Sequence, residues 1–174
     1  MAFETIIVEI SDHVALIKLN RPDALNALNQ QLLGELCQAL EEADTNDKVR
    51  CIVLTGTGDA VSAGLDLIEA AGQMDLLDSR AFNFDAGSAP VVVMQELGKP
   101  VIAAVNGPAA GYAVGIALNA DIRVMAGGAR FVSATKRSLV PESGDTYLLP
   151  RLVGWEQAAR FYFLGEDVGA QQAL

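Results

Sequence analysis

Val101-Ile-Ala-Ala-Val-Asn-Gly-Pro-Ala-Ala-Gly-Tyr-Ala-Val-Gly-Ile-Ala-Leu-Asn-Ala120 runs for twenty residues without a charge. Its length, and glycines at 107, 111 and 115, suit a membrane helix with a GxxxG face. The middle of the run argues otherwise. Asn106-Gly107-Pro108 is strong turn chemistry and divides the stretch into a strand, Val101 to Val105, and a Gly-rich apolar segment, Ala109 to Ala120, that opens a helix. A strand feeding a helix through a tight turn is half of a βαβ unit.

The flanking sequence repeats that alternation. Thr5 to Ile10 and Val14 to Leu19 are β-rich runs joined at Ser11-Asp12-His13, which predicts a hairpin with His13 solvated at its turn. After the Asn20-Arg21-Pro22-Asp23 break, Leu32, Leu33, Leu36, Cys37, Leu40 and Ala43 form one helical stripe behind Asn29 as N-cap. Val49 to Leu54 is a buried strand that runs into a loop at Thr55 to Asp59. Residues 69 to 88 are irregular and predict a mobile surface segment, and Val91 to Leu97 a helix ended by Gly98 and Pro100. Beyond the opening stretch come strands at Asp121 to Ala126 and from Phe131, then helices at Ser143 to Val153 and Glu156 to Leu164. The expected class is α/β with parallel strands, in one domain spanning 1–174.

Composition removes several functions. With 12 Lys+Arg against 22 Asp+Glu, the net charge of −10 disfavours a nucleic-acid or anionic-membrane surface. His13 is the only histidine, so zinc sites built on several histidines are excluded and no metal is expected. Cys37 and Cys51 fit no metal spacing, Cys37 belongs to an apolar stripe, and Met1-Ala-Phe-Glu4 leads straight into a strand; a reduced, cytoplasmic chain is expected. Gly56-x-Gly58 lacks the third glycine of a dinucleotide fingerprint, because position 61 is Val. Ser62 falls one residue short of a nucleophile elbow and would need His13 as its base.

Two turns keep chemical interest. Ala63-Gly64-Leu65-Asp66 and Gly107-Pro-Ala-Ala-Gly111-Tyr112 each follow a strand with small residues, where the backbone N–H groups of a starting helix can receive an anion.

Ordered motifs then resemble the crotonase, or enoyl-CoA hydratase/isomerase, superfamily. Asn20-Arg-Pro-Asp-Ala-Leu-Asn-Ala-Leu28 is similar to its N-terminal signature, and Val61-Ser-Ala-Gly-Leu-Asp-Leu67 to its first oxyanion-hole turn. Lys99-Pro-Val-Ile-Ala-Ala-Val-Asn-Gly-Pro-Ala-Ala-Gly111 is similar to the second, followed by Asp121-Ile-Arg-Val and Leu149-Pro-Arg-Leu-Val-Gly154. The resemblance spans essentially the whole chain. It implies a spiral of ββα/βαβ repeats that binds acyl-CoA thioesters, with no cofactor beyond the CoA that the substrate carries.

The resemblance also implies roles. The backbone N–H groups of Leu65 and Tyr112 match those that hold the thioester oxygen, donors worth about 3–4 kcal/mol each as the enolate forms. Ala24, Ala63, Gly64, Asp66 and Gly111 match CoA- and substrate-binding positions. The two glutamates of the hydratases fall at Gly115 and, to within a residue, at Thr135, so neither supplies a carboxylate. Glu142 matches the acid of isomerase-type members and is expected as the base, partly desolvated by Val140, Pro141, Tyr147 and Leu148; Asp145 is expected to serve capping or polarity. These positions imply an enoyl-CoA isomerase, with a hydratase, a thioester hydrolase or an idle acyl-CoA-binding homologue as alternatives. A helical C-terminal region past Leu174 and a homo-oligomer, trimer or hexamer, are expected by the same resemblance.

Overall fold

The computed structural model describes residues 3–69 and 89–173, so the expected surface segment at 69–88 lies, but for Glu69, outside the described residues. The hairpin forms as expected: β1 (Ile6–Ser11) and β2 (Val14–Leu19) are antiparallel, with Ile6 opposite Leu19. Asp12 and His13 both take positive φ, 48° and 66°, the backbone that matches a two-residue turn to strand twist. His13 is exposed there, its Nδ1 3.0 Å from the Lys48 carbonyl.

Helix α1 (Gln30–Thr45) starts at Asn29, whose side chain accepts the Leu32 N–H at 2.9 Å. The predicted stripe is its buried face, joined by Ala39. Its far end is tied to the next crossover, since Asp44 accepts the Gly98 and Lys99 amides and Lys99 Nζ donates to the Ala43 and Asn46 carbonyls.

β3 (Cys51–Gly56), α2 (Pro90–Glu96), β4 (Val101–Val105) and β6 (Ile122–Met125) complete a five-stranded sheet of order β1-β2-β3-β4-β6, parallel from β2 onward. β3 runs two residues into the segment read as loop, because Thr55 and Gly56 pair with Lys18 and Leu19. The inward residues alternate, Ile17 and Leu19, Ile52 and Leu54, Val101 and Val105, and all are buried against α1 and its neighbours.

At Val105 the chain leaves this sheet. Asn106 bridges the strand ends, accepting from Thr55 Oγ1 at 3.1 Å and donating to the Gly58 carbonyl at 2.9 Å. β5 (Ala109–Ala110) then joins a second sheet with β7 (Arg130–Val132) and β8 (Val168–Gly169), in the order β5-β7-β8. Helix α3 (Tyr112–Asn119) is buried from Tyr112 to Leu118, which explains the uncharged run without a membrane. No helix among the described residues is long and apolar enough to cross one. Helices α4 (Asp145–Val153) and α5 (Trp155–Ala159) close the chain, and the last predicted helix ends in a π-helical turn at Arg160–Leu164.

Candidate active site

The Asn20–Leu28 motif is a cradle for the first turn. Asn26 is fully buried in the left-handed region, at φ 54°. Its side chain accepts the Arg21 amide and donates to the Thr57 and Ala60 carbonyls, each near 2.9 Å. Beyond it, Ala63 N–H donates to Leu25, Leu28 N–H to Gly64 and Asp66 N–H to Leu28. In this parallel bridge between Leu28 and Leu65, the Leu65 amide points away from Leu28 and donates to no described residue. Arg21 also binds the Ala27 carbonyl and pairs with Asp66 at 2.9 Å. Burial raises the Asp66 carboxyl, but the hydrogen bond and charge of Arg21 and the amides of Glu69 and Ile68 outweigh it and hold the group below its usual range.

The second turn lies directly against the first. Ala110 N–H donates to Ser62 at 3.0 Å, and Ser62 and Ala109 form a parallel bridge. A Cβ on Gly64 would come within 2.8 Å of the Ala110 carbonyl, so only glycine permits this approach. Gly111 has φ 52° and ψ −121°, a conformation that side chains exclude, and from it the chain enters α3. Tyr112 is the first residue of α3, where an amide lies beyond reach of any carbonyl of its own helix. Ala24 is exposed on a single helical turn, and Ala63, Leu65, Asp66 and Gly111 are half-buried. The sequence-predicted turn residues are thus brought together. Ser62 is fully buried with its hydroxyl accepting the Gly64 amide, a structural hydroxyl and no nucleophile.

The Tyr112 side chain is buried in the interior. Its phenol is pushed up to about 12, by burial first and then by the charges of Cys37 and Glu142. Cys37 is itself pushed up to about 11, by burial and then by Glu41, which fits packing and no thiolate chemistry.

Glu142 departs from expectation. It is exposed, not partly desolvated, because the expected wall does not close over it. Val140 is 75% exposed and Tyr147 60%, the Tyr147 ring lying instead under the Arg151 guanidinium at 3.6 Å. Asp145 departs further. It makes no cap, the N-cap being Gly144, and its side chain is buried, accepting from the Tyr162 hydroxyl at 3.0 Å. Burial raises its carboxyl above the usual range, against hydrogen bonds that lower it.

Gly115 carries a consequence that glycine alone does not announce. A Cβ built there would sit 1.9 Å from Ser143 Oγ and 2.2 Å from Ser143 Cβ. The room for a side chain at 115 is occupied by Ser143. At the other position, Thr135 Oγ1 is engaged with Ser133 Oγ at 2.8 Å. Ser143, Tyr162 and the Arg21–Asp66 link went unread in the sequence, since each acts across a long separation with no periodic signal. A groove of about 710 Å³ lined by Val114, Leu118, Phe131, Leu149, Leu152 and Phe161 contains none of Leu65, Tyr112 and Glu142. The two joined turns suit stabilisation of an oxyanion, and among the described acids Asp66 is already paired with Arg21 while Glu142 is exposed.

Comparison with known proteins gives the family and the fold. Residues 9–174 match the enoyl-CoA hydratase/isomerase family pattern. The chain is 36% identical to the 1,2-epoxyphenylacetyl-CoA isomerase of Escherichia coli strain K12, over 98% of this chain and 66% of that protein. It is 38% identical to a probable enoyl-CoA hydratase of Rhodobacter capsulatus, over 99% and 66%. An enoyl-CoA hydratase subunit I from Geobacillus kaustophilus superposes with a TM-score of 0.89 at 35% identity, over 98% of this chain and 65% of that one. The chain spans about two thirds of the length of these relatives.

Proposed function

The chain belongs to the enoyl-CoA hydratase/isomerase family, and from that premise we propose that it shifts a C=C bond in an acyl-CoA thioester through an enolate, with Glu142 as the one carboxylate that moves the proton. In a 3-enoyl-CoA, Glu142 takes a proton from C2 and the electron pair moves toward the thioester oxygen. The amides of Leu65 and Tyr112 hold that oxygen as its charge grows. The double bond moves to C2–C3 and Glu142 returns the proton to C4, so every atom is conserved. The turn at Ala63, Gly64 and Asp66, with Ala24 and Gly111, is the proposed path of the CoA arm. No further cofactor enters, since CoA is part of the substrate.

The observation that carries this choice is Ser143 filling the space at Gly115. With no carboxylate at 115 or 135, nothing there fixes and activates a water, whereas one acid suffices for a proton shuttle. The acyl chain of a bound substrate would supply the apolar cover that Glu142 lacks in the isolated chain. Glu142→Gln keeps the shape and removes the base; 3-enoyl-CoA turnover should fall by about 10²–10⁴-fold with KM little changed. A variant with near-normal turnover would contradict the role.

A further inference from the structure

Residues 140–143 make no backbone hydrogen bond to any described residue, although Glu142 stands among them. Two buried side chains anchor this stretch instead. Ser143, 1% exposed, drops into the notch above Gly115, and its hydroxyl lies toward the Asp145 carboxyl without a hydrogen bond of good geometry. Asp145, 3% exposed, reaches back to Tyr162 in the π-helical turn, while its Oδ1 lacks a partner of good geometry. A buried carboxylate whose one hydrogen bond of good geometry comes from Tyr162 is an expensive way to add stability, since an apolar replacement of similar volume is often as good or better. Such groups are better explained by the geometry they impose.

We propose that Tyr162, through its hydrogen bond to Asp145, is a positioning residue that holds the Glu142 segment in register over α3, an inference that rests on Glu142 being the base proposed above. The clasp acts three residues from Glu142, and the Ser143 anchor one residue from it. Together they fix a stretch that the backbone leaves unfastened.

Tyr162→Phe keeps the ring and removes the clasp. One hydrogen bond is worth roughly tenfold in an equilibrium, so kcat on a 3-enoyl-CoA should drop about tenfold with KM within about twofold. Amide hydrogen exchange at 139–144 should quicken by a similar factor. Asp145→Ala should repeat both effects, and Asp145→Asn, which keeps an acceptor oxygen for Tyr162, should recover most of the loss. The double variant Glu142→Gln/Tyr162→Phe should be no slower than Glu142→Gln alone, because Tyr162 acts through Glu142. Unchanged kcat and unchanged exchange in Tyr162→Phe would overturn the clasp, as would additive losses in the double variant. If Glu142→Gln keeps its turnover, the base assignment fails by itself, and the exchange rates still decide whether Tyr162 holds the segment.

Discussion

Gly115 leaves room on α3 that Ser143 fills, and in the mechanism we propose this contact keeps a carboxylate off position 115. Gly115→Ala would place a methyl 1.9 Å from Ser143 Oγ. Ser143 must then move, at a cost of about 1–3 kcal/mol for overpacking a tight site, and Glu142 moves with it. Thermal unfolding should report the lost stability and turnover the shifted base; an Ala variant with wild-type stability and kcat would mean that the notch is slack. Asp145 gives a second residue-scale test. Its carboxyl is raised in the folded chain, by burial first, so the unfolded chain releases this proton at lower pH than the folded one. Stability therefore falls as pH rises from the usual carboxylate range through the raised value. Asp145→Asn removes that loss: it should be the more stable form at pH 7 by denaturant titration, with the gap closing near pH 3. Equal stability at both pH values would show that Asp145 carries no such penalty.

Among the elements, the Asn20–Leu28 motif shows what a signature does physically. Asn26 satisfies three backbone groups from a left-handed conformation, and Leu25 and Leu28 hand their hydrogen bonds to the 62–66 turn. Asn26→Ala would strand the Thr57 and Ala60 carbonyls and release the turn. Stability should fall by about 2–3 kcal/mol, in line with the cost of unpaired buried groups, and KM for an acyl-CoA should rise; a variant with unaltered melting and KM would show that the cradle is not needed. Elements of this kind were legible in the sequence where local chemistry forces them. Asn29 capped α1, the stripe from Leu32 to Ala43 faced the core, and Asn106-Gly107-Pro108 turned the chain between sheets. The end of β3 was misread because its last residues are small and polar, and what makes them strand is pairing with β2, which no local signal carries. The exposure of Glu142 and the burial of Asp145 were misread for a related reason: both depend on which way a loop without backbone hydrogen bonds folds back.

Across the whole molecule, the five-stranded sheet, parallel from β2 onward, and α1 form a core that holds the turns at its strand ends. Leu36 is fully buried on α1, and Leu36→Ala should cost about 2–5 kcal/mol, measurable by denaturant titration. Its effect on turnover at a temperature where both forms are folded should be small, because Leu36 touches the site only through the fold. Acid acts on the molecule in the opposite sense to Asp145. Glu35, where hydrogen bonds from Thr5, Glu4 and Gln31 outweigh burial, and Asp66 are both held low. Their stabilisation is present above the usual carboxylate range and fades as pH falls through their lowered values. The central claim is that a single carboxylate, Glu142, moves a proton between two carbons of an enolate held by two backbone turns. Proton NMR of a 3-enoyl-CoA incubated with the protein in D2O tests it most directly. A 2-enoyl-CoA product whose C4 keeps substrate hydrogen, with deuterium there only to the extent that the exposed Glu142 carboxyl exchanges with solvent between the two steps, with no 3-hydroxyacyl-CoA, and whose formation falls by about 10²–10⁴-fold in Glu142→Gln, is the result predicted. A 3-hydroxyacyl-CoA as the main product, formed as fast by Glu142→Gln as by the wild type, would contradict it.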